Sequence, residues 1–384
     1  MMDKESYFDH SASSPPYQEV IDVVAELMQS YYGNPSSLHR KGFDAEKLLK
    51  QARDVIAKCL HTDSTHILFT SGGTESNNIA IMGSARQFAS RGKHLITSRI
   101  EHSSVYECFQ QLEREGFDVT YMPVDQSGSV NAQDVLEAIR SDTILISVML
   151  ANNETGRIQP VAAIGRELAK HSRILFHVDA IQAAGKIPVV PHMLGVDLLS
   201  LSAHKFHGPK GVGVLYRKPN IRLAPIMFGG EQEHGVRPGT ENVPLIVGMA
   251  KALRLCVDQI APNMQHVSQL RQSLVKQLVL MNGVELTGSD IEVEMLPHIV
   301  HFLLPGIKSE VFVHAMEQER LYVSAQSACD SSKNKPSRIL LAMGYNQSHA
   351  QSGIRVSLDP THSLENINHL AHVISVVSKR LLQQ

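Results

Sequence analysis

From about residue 66 to residue 216 the chain alternates short apolar runs with amphipathic stretches, and few architectures accept that rhythm. The runs His66–Thr70, His94–Ser98, Val119–Met122, Thr143–Leu150, Arg173–Val178, Leu198–Ser202 and Gly213–Tyr216 have strand length and composition. Between them, Asn78–Ala89, Val105–Glu115, Ala132–Arg140 and Pro160–Lys170 carry helical spacing. Strands joined by helices predict a mainly parallel, seven-stranded sheet covered on both faces, an α/β fold. An earlier helix is read from Val20, Val23, Val24, Leu27, Met28 and Tyr31, between Pro15-Pro16 and Gly33.

A chain of 384 residues exceeds one ordinary core, so a second domain is expected. A long helical stretch, Val243–Ile260, leads out of the alternating region. After Pro262 the pattern becomes helix, strands and helices: Met264–Met281, His298–Leu303, Ser309–Glu319, Tyr322–Ser324, Gly353–Ser357 and Glu365–Leu382. We expect a large domain over 16–260 and a smaller α/β domain built from 261–384 and the N-terminal residues 1–15.

A net charge of −2 without a long basic run argues against nucleic acid as a partner. No apolar stretch has membrane-spanning length, and the start Met1-Met2-Asp3-Lys4-Glu5-Ser6 lacks a signal-peptide core, so a cytoplasmic protein is expected. Cys59, Cys108, Cys256 and Cys329 are scattered without a CxxC pair, which speaks against a disulfide framework or a cysteine-rich zinc site. The first three sit among apolar or helix-like neighbours and read as inert thiols. Cys329 lies in the polar stretch Ser324–Pro336 instead.

Several strands end in unusual polar residues, and parallel sheets bind ligands at that edge. The first strand runs into Ser71-Gly72-Gly73-Thr74-Glu75-Ser76-Asn77-Asn78, and others into Glu101-His102, Asn152-Asn153-Glu154, Asp179-Ala180-Ile181-Gln182 and Ser202-Ala203-His204-Lys205. Gly72-Gly73-Thr74 can offer N–H groups and a hydroxyl to a phosphate at a helix start, though no GK[ST] follows as in a P-loop. A lysine where a strand leaves the core can shed its proton at modest cost and attack a carbonyl. With flanking hydroxyl and imidazole groups, Lys205 offers the parts that bind pyridoxal phosphate as a Schiff base; by itself the same stretch also fits a surface turn with a solvated lysine. Asp179, if buried, needs a partner such as a protonated pyridine nitrogen, or it caps a helix beginning near Ala180. His102 reads as a ring-stacking or acid–base group, or as a hydrogen-bonded loop residue. His204 and His207 lack further ligands at sensible spacing, so no metal site is expected.

With these residues in hand, the chain resembles the cysteine desulfurases of the class V aminotransferase group, the NifS/IscS family. The matching segments are Gly33-Asn34-Pro35-Ser36-Ser37-Leu38-His39, Thr70–Asn78, Glu101-His102, Asn152-Asn153-Glu154-Thr155-Gly156, Asp179–Lys186 and Leu199–Gly213. Gly229–Glu233, Arg237-Pro238-Gly239-Thr240-Glu241-Asn242, Ser327-Ala328-Cys329 and Arg355-Val356-Ser357 follow in family order.

The resemblance implies the fold of pyridoxal-phosphate-dependent transferases of fold type I, with Lys205 as cofactor anchor and shuttle of the α-proton. Gly73, Thr74, Ser202 and His204 would hold the phosphate, with Thr240 reaching in from the second subunit of a homodimer. His102 would stack on the ring, Asp179 pair with its nitrogen, and Asn153 and Gln182 contact the ring hydroxyl side. Arg355 and Asn34 would receive the carboxylate of L-cysteine, and Cys329 would take its sulfur as a persulfide. A sulfur-acceptor protein, an iron–sulfur scaffold or a tRNA-thiolation enzyme, is the implied partner. Selenocysteine lyase, or an aminotransferase or lyase not using Cys329, shares the frame. Gln326 and Ser13-Ser14 depart from the family's usual glycine and Thr-Thr, leaving access to Cys329 and local contacts near the N-terminus open.

Overall fold

The computed structural model describes residues 6–171, 173–288, 294–325 and 335–383. Its strands are β1 (Ser6–Tyr7), β2 (Ile67–Thr70), β3 (His94–Ser98), β4 (Asp118–Met122), β5 (Thr143–Ser147), β6 (Leu175–Asp179), β7 (Leu198–Ser202) and β8 (Gly213–Arg217). They continue with β9 (Glu285–Leu286), β10 (Ile299–Leu303), β11 (Leu321–Tyr322) and β12 (Gly353–Ser357). The central sheet has the seven expected strands, ordered β2-β8-β7-β6-β5-β3-β4. Strands β3, β5 and β7 are buried along their whole length, as helices on both faces require.

Pairing is parallel from β4 through β7, whereas β8 runs antiparallel to both β7 and β2. Only residues 203–212 join β7 to β8, too few for a parallel crossover, which takes about a dozen residues or more. The chain must turn straight back, and that return places Lys205 at the sheet edge. Two antiparallel steps cancel, so the carboxyl end of β2 meets those of β3, β5, β6 and β7 on one edge. The order reverses around β3, whose neighbours β4 and β5 lie on opposite sides. The crevice there is where such sheets bind ligands.

The helix after β2 spans Gly73–Phe88, starting earlier than the predicted Asn78. Its first turn lies in the glycine-rich segment, whose weak helix propensity hides it. The helix Arg40–Cys59, absent from the periodicity reading, buries Gly42, Ala45, Leu49, Ala52 and Ile56 and packs on the helix Val243–Asp258.

A second apolar core, distinct from that around the large sheet, gathers Phe8, Leu270, Phe302, Phe312, Ile354, Leu370 and Ile374. It is built on the antiparallel sheet β12-β10-β9 and on helices within 260–382. The N-terminus joins it: β1 pairs with β11, Phe8 is fully buried in it, and Asp9 bridges to Ser357. The chain therefore passes between the two cores at residues 9–15, which brings Ser11 and Ala12 over the edge of the large sheet.

Candidate active site

A cavity of about 160 Å³ opens at the carboxyl edge of the central sheet. Gly73, Thr74, His102, Asn153, Asp179, Gln182, Ser202, His204, Lys205 and Arg355 all line it. Residues far apart in sequence thus converge: those up to Lys205 lie at or just after strand ends on this edge, and Arg355 reaches in from the second sheet.

Lys205 ends the short 3-10 turn after β7, and its Nζ donates to the carbonyls of Ser11 (2.6 Å) and Ala12 (2.9 Å). Two backbone acceptors therefore aim the amine. The Asp179 carboxylate, 5% exposed, accepts from Asn77 Nδ2 (2.9 Å) and from Ile181 N (3.0 Å). The contact with Ile181 is a local turn; the segment after Ala180 is turn, not the helix a capping role would need. His102 caps the helix Ser103–Arg114, its Nδ1 accepting from Ser104 N (3.1 Å). That bond makes Nδ1 an acceptor and puts the proton of the neutral ring on Nε2. Burial, then the charges of Lys205 and Lys210, push His204 down to about 4, so it is neutral at pH 7. Gln182 donates to Ser11 O (3.0 Å).

Arg355, 1% exposed, projects from β12 of the second unit into this cavity. Its Nη1 donates to Asn153 O (2.7 Å) and its Nη2 to Asp9 Oδ1 (2.8 Å), while Nε is buried without a partner among the described residues. Asn153 Oδ1 is likewise buried and unpartnered. Such orphaned polar atoms are costly unless a ligand answers them.

Three features suit a phosphorylated pyridine. Apolar cavities of about 150 Å³ take up a benzene ring, so a ring of that size fits the space. A Cβ on Gly73 would come within 2.2 Å of Ile181 Cδ1, so the helix starts packed against the Ile181 side chain with room only for glycine unless that side chain moves. That helix then points its N-terminal N–H groups at the edge where Ser202 and His204 stand.

Asn34 and Thr240 do not line this cavity. Asn34 is exposed, its side chain accepting from Ser36 N (2.9 Å). Thr240 is exposed beside Ser71, Gly211 and Arg237 on a separate cavity. Cys329 lies outside the described residues, but both flanks of its segment are tied to the site. Ser324 and Arg355 exchange backbone hydrogen bonds (3.0 and 2.8 Å), Ser337 Oγ donates to Glu154 Oε2 (2.6 Å), and Arg338 donates to the carbonyls of Arg99 and Glu101. The other three cysteines fit their inert reading. Burial pushes Cys59 up to about 11 and Cys108 up to about 12, and raises Cys256 as well. Among the described residues no cluster of ligands suits a metal.

Sequence reasoning quoted Glu101 but gave it no role. It is fully buried, accepts from Ser98 Oγ (2.5 Å) and Met149 N (3.0 Å), and is pushed up to about 8, chiefly by burial. It is therefore largely a neutral acid at pH 7, held by Ser98 and Met149 next to His102 in the chain. The carbonyls of Ser11 and Ala12 carry no side-chain signal and were invisible in the sequence.

The class-V aminotransferase family profile matches residues 6–370. The chain is 40% identical over 381 residues to cysteine desulfurase IscS of Dictyoglomus turgidum, covering 99% of this chain and 96% of that protein. Among solved structures, a NifS-like protein superposes with a TM-score of 0.91 at 35% identity, over 99% of this chain and 100% of its own. A structure described as SspA in complex with cysteine superposes with a TM-score of 0.81 at 34% identity, over 94% and 100%. With the fold, the cavity and these likenesses in agreement, the chain belongs to the class-V aminotransferase family and within it to the NifS/IscS cysteine desulfurase group.

Proposed function

We propose that this protein is a pyridoxal-phosphate-dependent cysteine desulfurase that releases L-alanine from L-cysteine and holds the sulfur on Cys329 for an acceptor protein. The observation that carries the reading is the convergence of Lys205, Asp179 and Arg355 on one ring-sized cavity. Bound pyridoxal phosphate supplies an aldehyde for the lysine amine and a ring that draws electrons from the substrate's α-carbon.

The chain's own residues do the rest. Gly73, Thr74, Ser202 and His204 hold the phosphate, Asp179 keeps the ring nitrogen protonated, and Asn153 and Gln182 meet the hydroxyl side. His102 covers the ring. Arg355 takes the substrate carboxylate, for which a guanidinium fork is shaped, using the buried Nε and sharing Nη2 with Asp9. Lys205 Nζ, steered by Ser11 O and Ala12 O, moves the α-proton. In the net exchange the substrate's Cβ–S bond becomes Cβ–H, and the Cys329 S–H becomes S–S–H, so atoms and electrons balance without an external oxidant.

Cys329 is five residues beyond Ser324, a reach of at most about 18 Å for extended chain. Ser324 is itself backbone-bonded to Arg355, which supports delivery of the thiol to the cavity. The 16–260 region acts as cofactor domain, and the rest brings Arg355 and Cys329. Thr240, exposed and away from its own chain's cavity, supports a homodimer in which it completes the partner's phosphate site, with Asn34 joining the substrate site. No helix among the described residues is long and apolar enough to cross a membrane; we place the enzyme in the cytoplasm with an iron–sulfur scaffold or tRNA-thiolation enzyme as acceptor.

The test incubates the parent and Cys329→Ala with L-cysteine and a reductant, measuring sulfide and alanine. The parent should form both, and the variant neither. Equal sulfide from both overturns the nucleophile. A marked preference for selenocysteine over cysteine would transfer the reading to a selenocysteine lyase.

A further inference from the structure

Behind the cavity, where the two cores meet, lies a second group of ionisable side chains that the reaction above does not use. Its centre is Asp359, 2% exposed, four residues after Arg355. One carboxylate oxygen accepts from Thr361 N (3.1 Å) and Thr361 Oγ1 (2.7 Å). The other faces His207 Nε2 at 3.0 Å and His10 Nδ1 at 3.5 Å. His207 stands two residues after Lys205, so the contact joins the lysine loop to the strand that bears the arginine.

The heavy atoms fix what each ring nitrogen faces. His207 Nδ1 meets the carbonyl of Pro15 at 2.9 Å, and a carbonyl only accepts. Nε2 lies 3.0 Å from the carboxylate, an ion-pair distance without hydrogen-bond alignment, so each ring nitrogen faces an oxygen of Pro15 or Asp359. His362 shows the contrary arrangement. Its Nδ1 accepts from Asp359 N (3.0 Å), so its Nε2, donating to Tyr7 O (3.0 Å), carries the only proton of a neutral ring. Burial alone would raise the Asp359 carboxyl, yet His207 and His10 hold it well below the ordinary carboxylate range. Burial pushes His10 down to about 4. His298, Lys186, Tyr17 and Cys256 complete the surroundings.

His207 is also held in place with unusual force. Its backbone has φ of 59°, a left-handed conformation rare for a histidine. The Tyr17 ring stacks on it with centroids 4.3 Å apart and planes 11° apart, and Tyr17 N donates to its carbonyl. A turn maintained against that backbone preference, ending on a buried carboxylate, needs an account.

We propose that His207 and Asp359, backed by His10, form a positioning pair that locks the Lys205 loop to the Arg355 strand and so sets the place of the substrate carboxylate relative to the amine. The part concerning substrate rests on the desulfurase reading; the lock itself does not. The pair acts through its neighbours and touches no reacting atom.

The test uses full-length His207→Gln, Asp359→Asn, the double variant and Asp359→Glu. Amide hydrogen exchange on cofactor-free protein is read over segments 203–209 and 355–359. Each single variant should speed exchange in both segments at least about fivefold, including the segment it does not touch, and the double variant should add little. Asp359→Glu, which keeps the charge, should recover most of the protection. In loaded enzyme, the single variants should raise KM for L-cysteine roughly tenfold with kcat within about twofold. Acceleration confined to the mutated segment, or additive losses in the double variant, would overturn the lock. Coupled exchange with an unchanged KM would overturn its role in placing the carboxylate. A parent protein without desulfuration would sink the proposed function while the exchange result still decides the lock.

Discussion

Glu101→Gln offers a quantitative check on the electrostatics beside the cavity. A carboxyl raised from the usual 4.5 to about 8 binds its proton more tightly folded than unfolded. Its contribution to stability is therefore fully present below pH 4.5 and is lost as pH rises through 8. Each unit of displacement corresponds to about 1.4 kcal/mol, so the penalty reaches about 3 kcal/mol at pH 7 and about 5 kcal/mol above pH 8. A glutamine keeps an oxygen to accept from Ser98 Oγ and Met149 N. Its NH2 falls where Oε2 has no partner, a pH-independent cost of about 1–3 kcal/mol. That cost cancels when the variant's advantage is compared between two pH values. Between pH 5 and pH 9 the advantage should grow by about 4 kcal/mol and then level off. Urea unfolding of cofactor-free parent and variant across that range measures it. A constant offset between the two would refute the reasoning, because it would mean that the proton leaves Glu101 as easily folded as unfolded.

Other sites give sharper yes-or-no outcomes. Gly73→Val places a side chain within 2.2 Å of Ile181 Cδ1, so cofactor uptake followed by absorbance should weaken markedly while the protein still folds. Glu233→Gln breaks a buried pair with Arg53 (2.6 Å) and should cost about 3–5 kcal/mol in urea unfolding. Arg355→Leu removes a charged donor from the cavity and should raise KM for L-cysteine roughly 10- to 150-fold, seen in initial rates of alanine formation. Borohydride reduction of the cofactor-loaded protein, followed by mass spectrometry, should place a pyridoxyl adduct on Lys205 and on no other residue.

The central sheet was readable because buried parallel strands are near-continuous apolar runs. β3 and β5 carry His94, Thr143 and Ser147 without breaking that pattern, since His94 Nδ1 pairs with Thr143 Oγ1 (2.7 Å) and Ser147 Oγ with His177 (2.8 Å). The helix Arg40–Cys59 escaped notice because small residues such as Gly42, Ala45 and Ala52 make up much of its buried face, where large apolar ones would have stood out. Side chains at the cavity were legible wherever a strand ran straight into them, as at Asp179 and Lys205. What could not be read was whatever depends on the backbone or on distant segments: the carbonyls of Ser11 and Ala12, and the meeting of His10, His207 and Asp359. His207 was weighed only with His204 as a metal ligand. Its actual partner comes from the far end of the chain.

The turn between β7 and β8 closes on the registered pair Ser202↔Gly213, so the lysine hangs from two strands that cannot slide past each other. Whatever adaptation the enzyme makes to its substrate must then come from the opposite wall, the face that carries Arg355. Attempts to redirect such an enzyme toward bulkier amino acids should begin there: lengthening the hairpin would shift Lys205 itself, whereas changing side chains of the facing wall while sparing Asp359 leaves it in place.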